Sequence, residues 1–141
     1  NINYLIILLV IILSCSIFEP DNESKNLVGT TWKLIEIRNS DNHLIFKTGS
    51  DWSYWIKFQE DGSALAKDAC NDCSGNYTKD GENIDISLSC TESACSTPPP
   101  SLGYSYEINH SISYEIDSDK LKIKVFYSNF GERILIHKAI D

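Results

Sequence analysis

The chain has 141 residues, the length of one domain, with 12 Lys+Arg against 20 Asp+Glu and a net charge of -8. An acidic domain repels phosphate backbones, which excludes nucleic acid as a natural partner. No charged residue precedes Glu19, so the acidic excess belongs to everything after the N-terminal stretch, where it serves solubility.

From Ile2 to Leu13 nearly every residue is apolar. A run of about 12 residues is too short to cross a ~30 Å hydrocarbon core as a helix, which takes about 20, but it fits the h-region of a signal peptide. The chain contains no methionine, so the expectation is that it begins inside its signal and that the basic n-region lies upstream. Ile12-Leu13-Ser14-Cys15 resembles a lipobox, whose cysteine is acylated and becomes the new N-terminus. This makes residues 1–14 a signal peptide and Cys15 a lipidation site, and it makes the membrane a partner through the acyl chains. The competing reading, a plain secretory signal, leaves an odd fifth cysteine unexplained. Ser16 resembles the outer-membrane sorting pattern of diderm bacteria. Residues 15–26 are mostly polar and aperiodic and read as a tether.

From residue 27 onward the chain is a series of short alternating runs separated by turn residues, the pattern of an all-β domain. Thr31–Arg38 places Trp32, Leu34 and Glu36 on one face, with Ile35 and Ile37 on the other. Tyr54, Ile56 and Phe58 alternate with Trp55 and Lys57 before a turn at Glu60-Asp61-Gly62. Ser63–Ala69 is the return strand, and Ser74-Gly75-Asn76-Tyr77 reads as a turn into a strand at Asn76–Thr78. Asn83–Ser89 alternates most cleanly, with Ile84, Ile86 and Leu88 inward. After Pro98-Pro99-Pro100, residues 102–111 carry Tyr104, Ile108 and Ile112 at helical spacing, which favours a short helix. Strands at Tyr114–Ile116, Leu121–Tyr127 and Arg133–Ala139 complete a terminal meander. The expected total is seven or eight strands.

Four cysteines cluster as Cys70-Asn-Asp-Cys73 and Cys90-Thr-Glu-Ser-Ala-Cys95. Two pairs separated by 16 residues look like a zinc ribbon, and Cys70/Cys73 has the spacing of a redox pair. Export argues against tetrathiolate zinc, and a low thiol pKa needs a helix behind the first cysteine, where this sequence reads as a turn into a strand. Two structural disulfides are the reading adopted. Four cysteines allow three connectivities, and the residues alone do not choose among them.

The run Phe58…Gly62…Ala69-Cys70-Asn71…Ser74-Gly75-Asn76-Tyr77, followed by Ile84…Ile86…Cys90-Thr91…Ala94-Cys95, resembles the META domain of HslJ-type lipoproteins. Gly29…Trp32-Lys33-Leu34 and Tyr114-Glu-Ile-Asp…Leu121 extend the likeness over residues 27–141. The resemblance implies a mainly β fold, a small antiparallel lipocalin-like half-barrel with a meander and at most one short helix. It also implies the nested pairing Cys70–Cys95 and Cys73–Cys90, because the outer two cysteines are the ones that recur in the family. Ala69 departs from it, standing where glycine is usual.

A catalytic site needs a nucleophile with its base, paired carboxylates or a ligand cluster. The histidines His43, His110 and His137 stand in unrelated contexts, and His137 is expected to be partly exposed on the last strand. No phosphate loop or metal motif is present, so no cofactor is expected. Three Asn-x-Ser/Thr triplets, at Asn22, Asn76 and Asn109, read as accidents of composition. Trp32, Trp52, Trp55, Tyr104, Tyr106 and Tyr114 serve either as core or as the lining of a ligand cavity. The expected function is that of a non-enzymatic envelope lipoprotein, structural or stress-related, with an unknown protein or small-ligand partner. The alternative is a carrier of small apolar ligands.

Overall fold

The structure, a computed structural model, describes residues 25–95 and 102–141. Nine strands and one short helix are seen among them, in the order β1 (Thr31–Asn39), β2 (Leu44–Lys47), β3 (Tyr54–Phe58), β4 (Ser63–Asp68), β5 (Asn71–Asp80), β6 (Asn83–Cys90), α1 (Tyr104–Ile108), β7 (Ser111–Asp117), β8 (Lys120–Tyr127) and β9 (Gly131–Ala139). Every strand pairing is antiparallel. The mainly β architecture expected from the alternation is the one found, as is the lipocalin-like form that the resemblance implies, and the sheet closes more fully than a half-barrel. Strand β1 meets β9 along most of its length, so β1 and β3 to β9 form an eight-stranded ring.

Strand β2 is the ninth strand and has no place in the ring. The start of β1 pairs with β3 through Thr31–Lys33, and its end pairs with β2 through Glu36–Arg38. A bulge between Leu34 and Glu36 separates the two halves. The bulge also corrects the face assignment for β1. Trp32 and Leu34 point inward as expected, but the extra residue shifts the phase, so Ile37 is buried and Glu36 is turned out to meet Arg38. Simple alternation cannot anticipate an inserted residue.

Two further differences arise at the middle strands. The stretch Ser74-Gly75, read as a turn, lies inside β5, which begins at Asn71. Its sequence is polar because the outward face is solvated, and a glycine there reflects close approach rather than a turn. A Cβ on Gly75 would stand 1.8 Å from the Ser87 carbonyl oxygen. The turn before β5 is made by Ala69, at φ 57°, in the left-handed region.

The core fills the barrel axis. Trp32, Tyr54, Phe58 and Tyr104 are its largest fully buried side chains, packed with Leu34, Ile56, Ile86, Leu121, Ile123 and Leu135. Trp32 Nε1 donates to the Leu27 carbonyl at 3.1 Å, so the buried indole keeps its hydrogen bond. Among the described residues contact with the barrel starts at Lys25, whose N–H donates to the Ser118 carbonyl, and Leu27 is already core.

The ring is weakest between β6 and β7, which share a single register pair, Asn83 with Ser113. Side chains seal the remainder. Ile86 N–H donates to Ser111 Oγ at 3.1 Å, and Asn109 occupies both backbone groups of Leu88. Helix α1 covers this end of the barrel. Its Ser105 N–H and hydroxyl both donate to Asp68 Oδ2, at 2.9 and 2.8 Å, which ties it to the end of β4.

Candidate functional site

The chemistry-bearing residues gather at the end of the barrel that α1 covers. Antiparallel pairing sets Cys73 of β5 directly opposite Cys90 of β6, and the two are joined as a disulfide with Cα atoms 4.0 Å apart. Cys70, just before β5, is joined to Cys95 beyond β6, with Cα atoms 5.7 Å apart. The nested pairing implied by the resemblance is therefore the one present, and the sulfurs are committed in pairs. Cys73 continues into a strand, so the helix that a thioredoxin-like site places behind its thiol is replaced by β5.

The polar residues interleaved with the cysteines have a structural task that the sequence did not disclose. Asn71 Oδ1 accepts from Thr91 Oγ1 at 3.1 Å and from Ser93 N–H at 2.8 Å. Thr91 Oγ1 in turn accepts from Asp72 N–H at 3.2 Å. The Cys-Asn and Thr-x-x-Ala-Cys halves of the pattern thus hold each other, with Asn71 shaping the loop that delivers Cys95 to Cys70.

Beneath α1 lies a buried polar pair. The Tyr104 hydroxyl is 2.9 Å from His137 Nε2, and both residues have 0 % exposure. This corrects the expectation of a partly exposed His137, because the phase of β9 turns Leu135 and His137 inward together. Burial pushes the imidazole down to about 4, opposed by the nearby Leu121 and Leu135 carbonyls, so the ring is neutral near pH 7. Among the described residues, His137 Nδ1 and the Tyr54 hydroxyl have no hydrogen-bond partner in good geometry. Burial also holds the Tyr104 hydroxyl well above the ordinary phenol range.

A second polar group joins α1 to β8 and β9. Glu107, almost fully buried, accepts from the Tyr127 hydroxyl at 2.5 Å and from Arg133 at 2.6 Å. Desolvation, with the Glu107 hydrogen bond second, raises the Tyr127 hydroxyl far above its usual value. Arg133 lies over the rings of Tyr127 and Phe130, 5.4 and 5.7 Å from their centroids. The charge is paired and bonded, as a buried carboxylate requires.

The remaining sites named in the sequence do not converge. His43 lies in the β1–β2 hairpin, His110 packs on Tyr106 and Tyr127, and His137 is in the core. Of the six aromatics, Trp32 and Tyr104 are core, while Tyr106 is 61 % exposed and Trp55 faces outward from β3. Among the described residues no three His, Cys, Asp or Glu side chains form a metal-binding group. Cys15 and residues 1–24 as a whole, which include the expected signal peptide and most of the expected tether, lie outside the described residues. Two open grooves flank the chain-entry end. One, of about 680 Å³, includes Leu27, Val28 and Tyr114. The other, of about 340 Å³, has Ile35 and Ile140 between Lys33, Lys47 and Lys138.

The sequence matches the META domain over residues 25–128. No curated protein sequence matches it. Two solved structures share its fold. One is the NMR structure of a protein from Burkholderia xenovorans, 20% identical, with a TM-score of 0.58 over 82% of this chain and 85% of that one. The other is the crystal structure of a DUF4847 family protein from Bacteroides vulgatus, 16% identical, with a TM-score of 0.53 over 79% of this chain and 93% of that one.

Proposed function

The chain belongs to the META domain family, and from that premise we propose that it is a non-enzymatic exported lipoprotein, held in the cell envelope through Cys15 and acting there as a structural or stress-related factor. The observation that carries this reading is the pair of nested disulfides, Cys70–Cys95 and Cys73–Cys90. Such bonds persist in oxidising compartments and are rare in the cytosol. They use four of the five cysteines, which leaves Cys15 without a partner in the chain, at the end of an apolar run where acylation is the chemistry that employs it. Multiple acyl chains on that residue give stable anchoring. In a host with two membranes, Ser16 favours the outer one.

The separation of the three imidazoles supports a non-enzymatic role, because His137 is sealed beneath α1 and, among the described residues, neither of the other two rings bonds a hydroxyl or thiol. The carrier alternative has no specific observation in its favour, since large side chains occupy the barrel axis. Mass analysis of the N-terminal peptide from the membrane fraction tests the proposal. A diacylglyceryl adduct on Cys15, and release of a Cys15→Ser variant from the membrane, are the expected results. A free Cys15 thiol on protein recovered from the cytosol defeats it.

A further inference from the structure

The outer surface of β8, β9, β1 and β2 concentrates positive charge on an otherwise acidic chain. At the chain-entry end, Lys120 is paired directly with Lys138, and Lys138 directly with Lys33. Three ammonium groups therefore stand in a row across three strands, an arrangement that costs a sheet stability. The next row runs Lys122, Ile136, Glu36, Lys47, and the third runs Lys124, Ile134, Arg38, Leu44. Seven of the 12 basic residues share this face. Four carboxylates answer them: Glu36 at 2.7 Å from Arg38, Glu132 at 3.3 Å from Lys124, Asp119 at 3.7 Å from Lys138 and Glu115 at 3.8 Å from Lys122. Among the described residues, Lys33, Lys47 and Lys120 join no ion pair. Asp117 stands directly opposite Lys120 in the β7–β8 register and Glu82 shares a groove with Lys122 and Lys124, so seven cations face six carboxylates, a local excess of +1 within a chain of net -8.

We infer that this face is a docking surface for an anionic lipid bilayer. The inference rests on the membrane-anchored reading above, and two observations carry it further. Lys25 is bonded to Ser118 in the turn between β7 and β8, so the chain enters the barrel two residues from Lys120. An N-terminal anchor therefore joins the barrel beside the lysine row and away from the disulfide-bonded end. The second observation is the chemistry between the cations. Ile136 and Ile134 stand within the second and third rows, next to Lys122 and Lys124, and the groove between Lys33, Lys47 and Lys138 has Ile35 and the exposed Ile140 in it. Lysines around an apolar strip fit phosphate headgroups above acyl chains, and each lysine near such a surface strengthens binding about fivefold. A soluble polyanion matches the charge but leaves the isoleucines in water.

The test uses the full chain reconstituted in vesicles of phosphatidylcholine, with or without phosphatidylglycerol, and amine acylation read residue by residue. Lys33, Lys120 and Lys138 are expected to lose about fivefold or more of their labelling in anionic vesicles relative to Lys67 on β4, and to regain it at high salt. The triple variant Lys33→Gln, Lys120→Gln, Lys138→Gln should leave Lys47 and Lys122 unprotected in anionic vesicles while melting no lower than the parent, since it removes opposed like charges. Equal labelling in both vesicle types overturns the proposal, as does equal protection by soluble polyglutamate. So does a triple variant that unfolds, because the row would then be structural. Both vesicle types carry the same chain, so the proposal is decided by the difference in labelling between them, whereas an unmodified Cys15 peptide defeats only the lipoprotein reading.

Discussion

Asn109 acts as a strand residue against Leu88. Its Oδ1 accepts from the Leu88 N–H at 2.7 Å and its Nδ2 donates to the Leu88 carbonyl at 3.0 Å, completing a seam where β6 and β7 share one register pair. The same asparagine opens one of the Asn-x-Ser triplets, and the fold gives its amide a different use. Replacing it with alanine leaves a donor and an acceptor of a buried residue unmade, at about 1–3 kcal/mol each. Asn109→Ala is expected to lower the denaturation midpoint accordingly and to speed hydrogen exchange at the Leu88 amide. Asn109→Asp, which keeps the acceptor, should fall between. An unchanged Leu88 exchange rate would show that the seam is held by other means.

His137 gives stability a defined pH dependence. Its ordinary value of 6.5 is lowered to about 4 in the fold, so the unfolded chain binds this proton more readily than the native one. The stability is fully present above pH 6.5 and drains away as the pH falls from there to about 4, a loss of roughly 3 kcal/mol at 1.36 kcal/mol per pH unit. Urea midpoints measured from pH 7 to pH 4 check this. His137→Gln should flatten the part of the curve between pH 6.5 and pH 4, leaving the steeper carboxylate contribution at lower pH.

Gly75 and Ala69 respond in opposite ways to one methyl group. Gly75→Ala drives its Cβ into the Ser87 backbone carbonyl and should cost about 3 kcal/mol or abolish folding. Ala69→Gly loses a buried methyl but relieves a left-handed residue at φ 57°, where a side chain costs about 1–2 kcal/mol, so its melting temperature should match or exceed the parent's. A fall as large as that of Ala66→Gly, in the middle of β4, would refute the strain argument.

The two disulfides should each contribute to stability but not independently. They close segments of 25 and 17 residues, one inside the other. In the chain-entropy model either bond alone is worth about 3 kcal/mol, but removing one while the other remains costs closer to 2–3 kcal/mol, so removing both costs about 5–6 kcal/mol. Serine pairs at Cys70/Cys95, at Cys73/Cys90 and at all four positions, compared by denaturant titration, give the three values. A four-serine variant no weaker than either pair would contradict a nested constraint.

The strands are largely legible in the sequence, because burial on one face of a sheet imposes a period of two on the chain. Ile84, Ile86 and Leu88 lie where alternation puts them, and so do Tyr54, Ile56 and Phe58. The errors fell where one residue breaks the period or where no buried face marks the strand. The bulge at Ile35 turned Ile37 inward, the polar start of β5 hid a strand, and Leu44–Lys47 buries no residue and so gave no pattern to β2.

Local order and the cysteine motif were in the sequence itself, since they depend on neighbours along the chain and on which side chains tolerate water. The ring closure between β1 and β9, the burial of His137 against Tyr104, and the alignment of Lys120, Lys138 and Lys33 emerged only in three dimensions. These contacts join positions roughly 20 to 105 residues apart, and their register depends on a bulge and on hairpin lengths that leave no periodic trace.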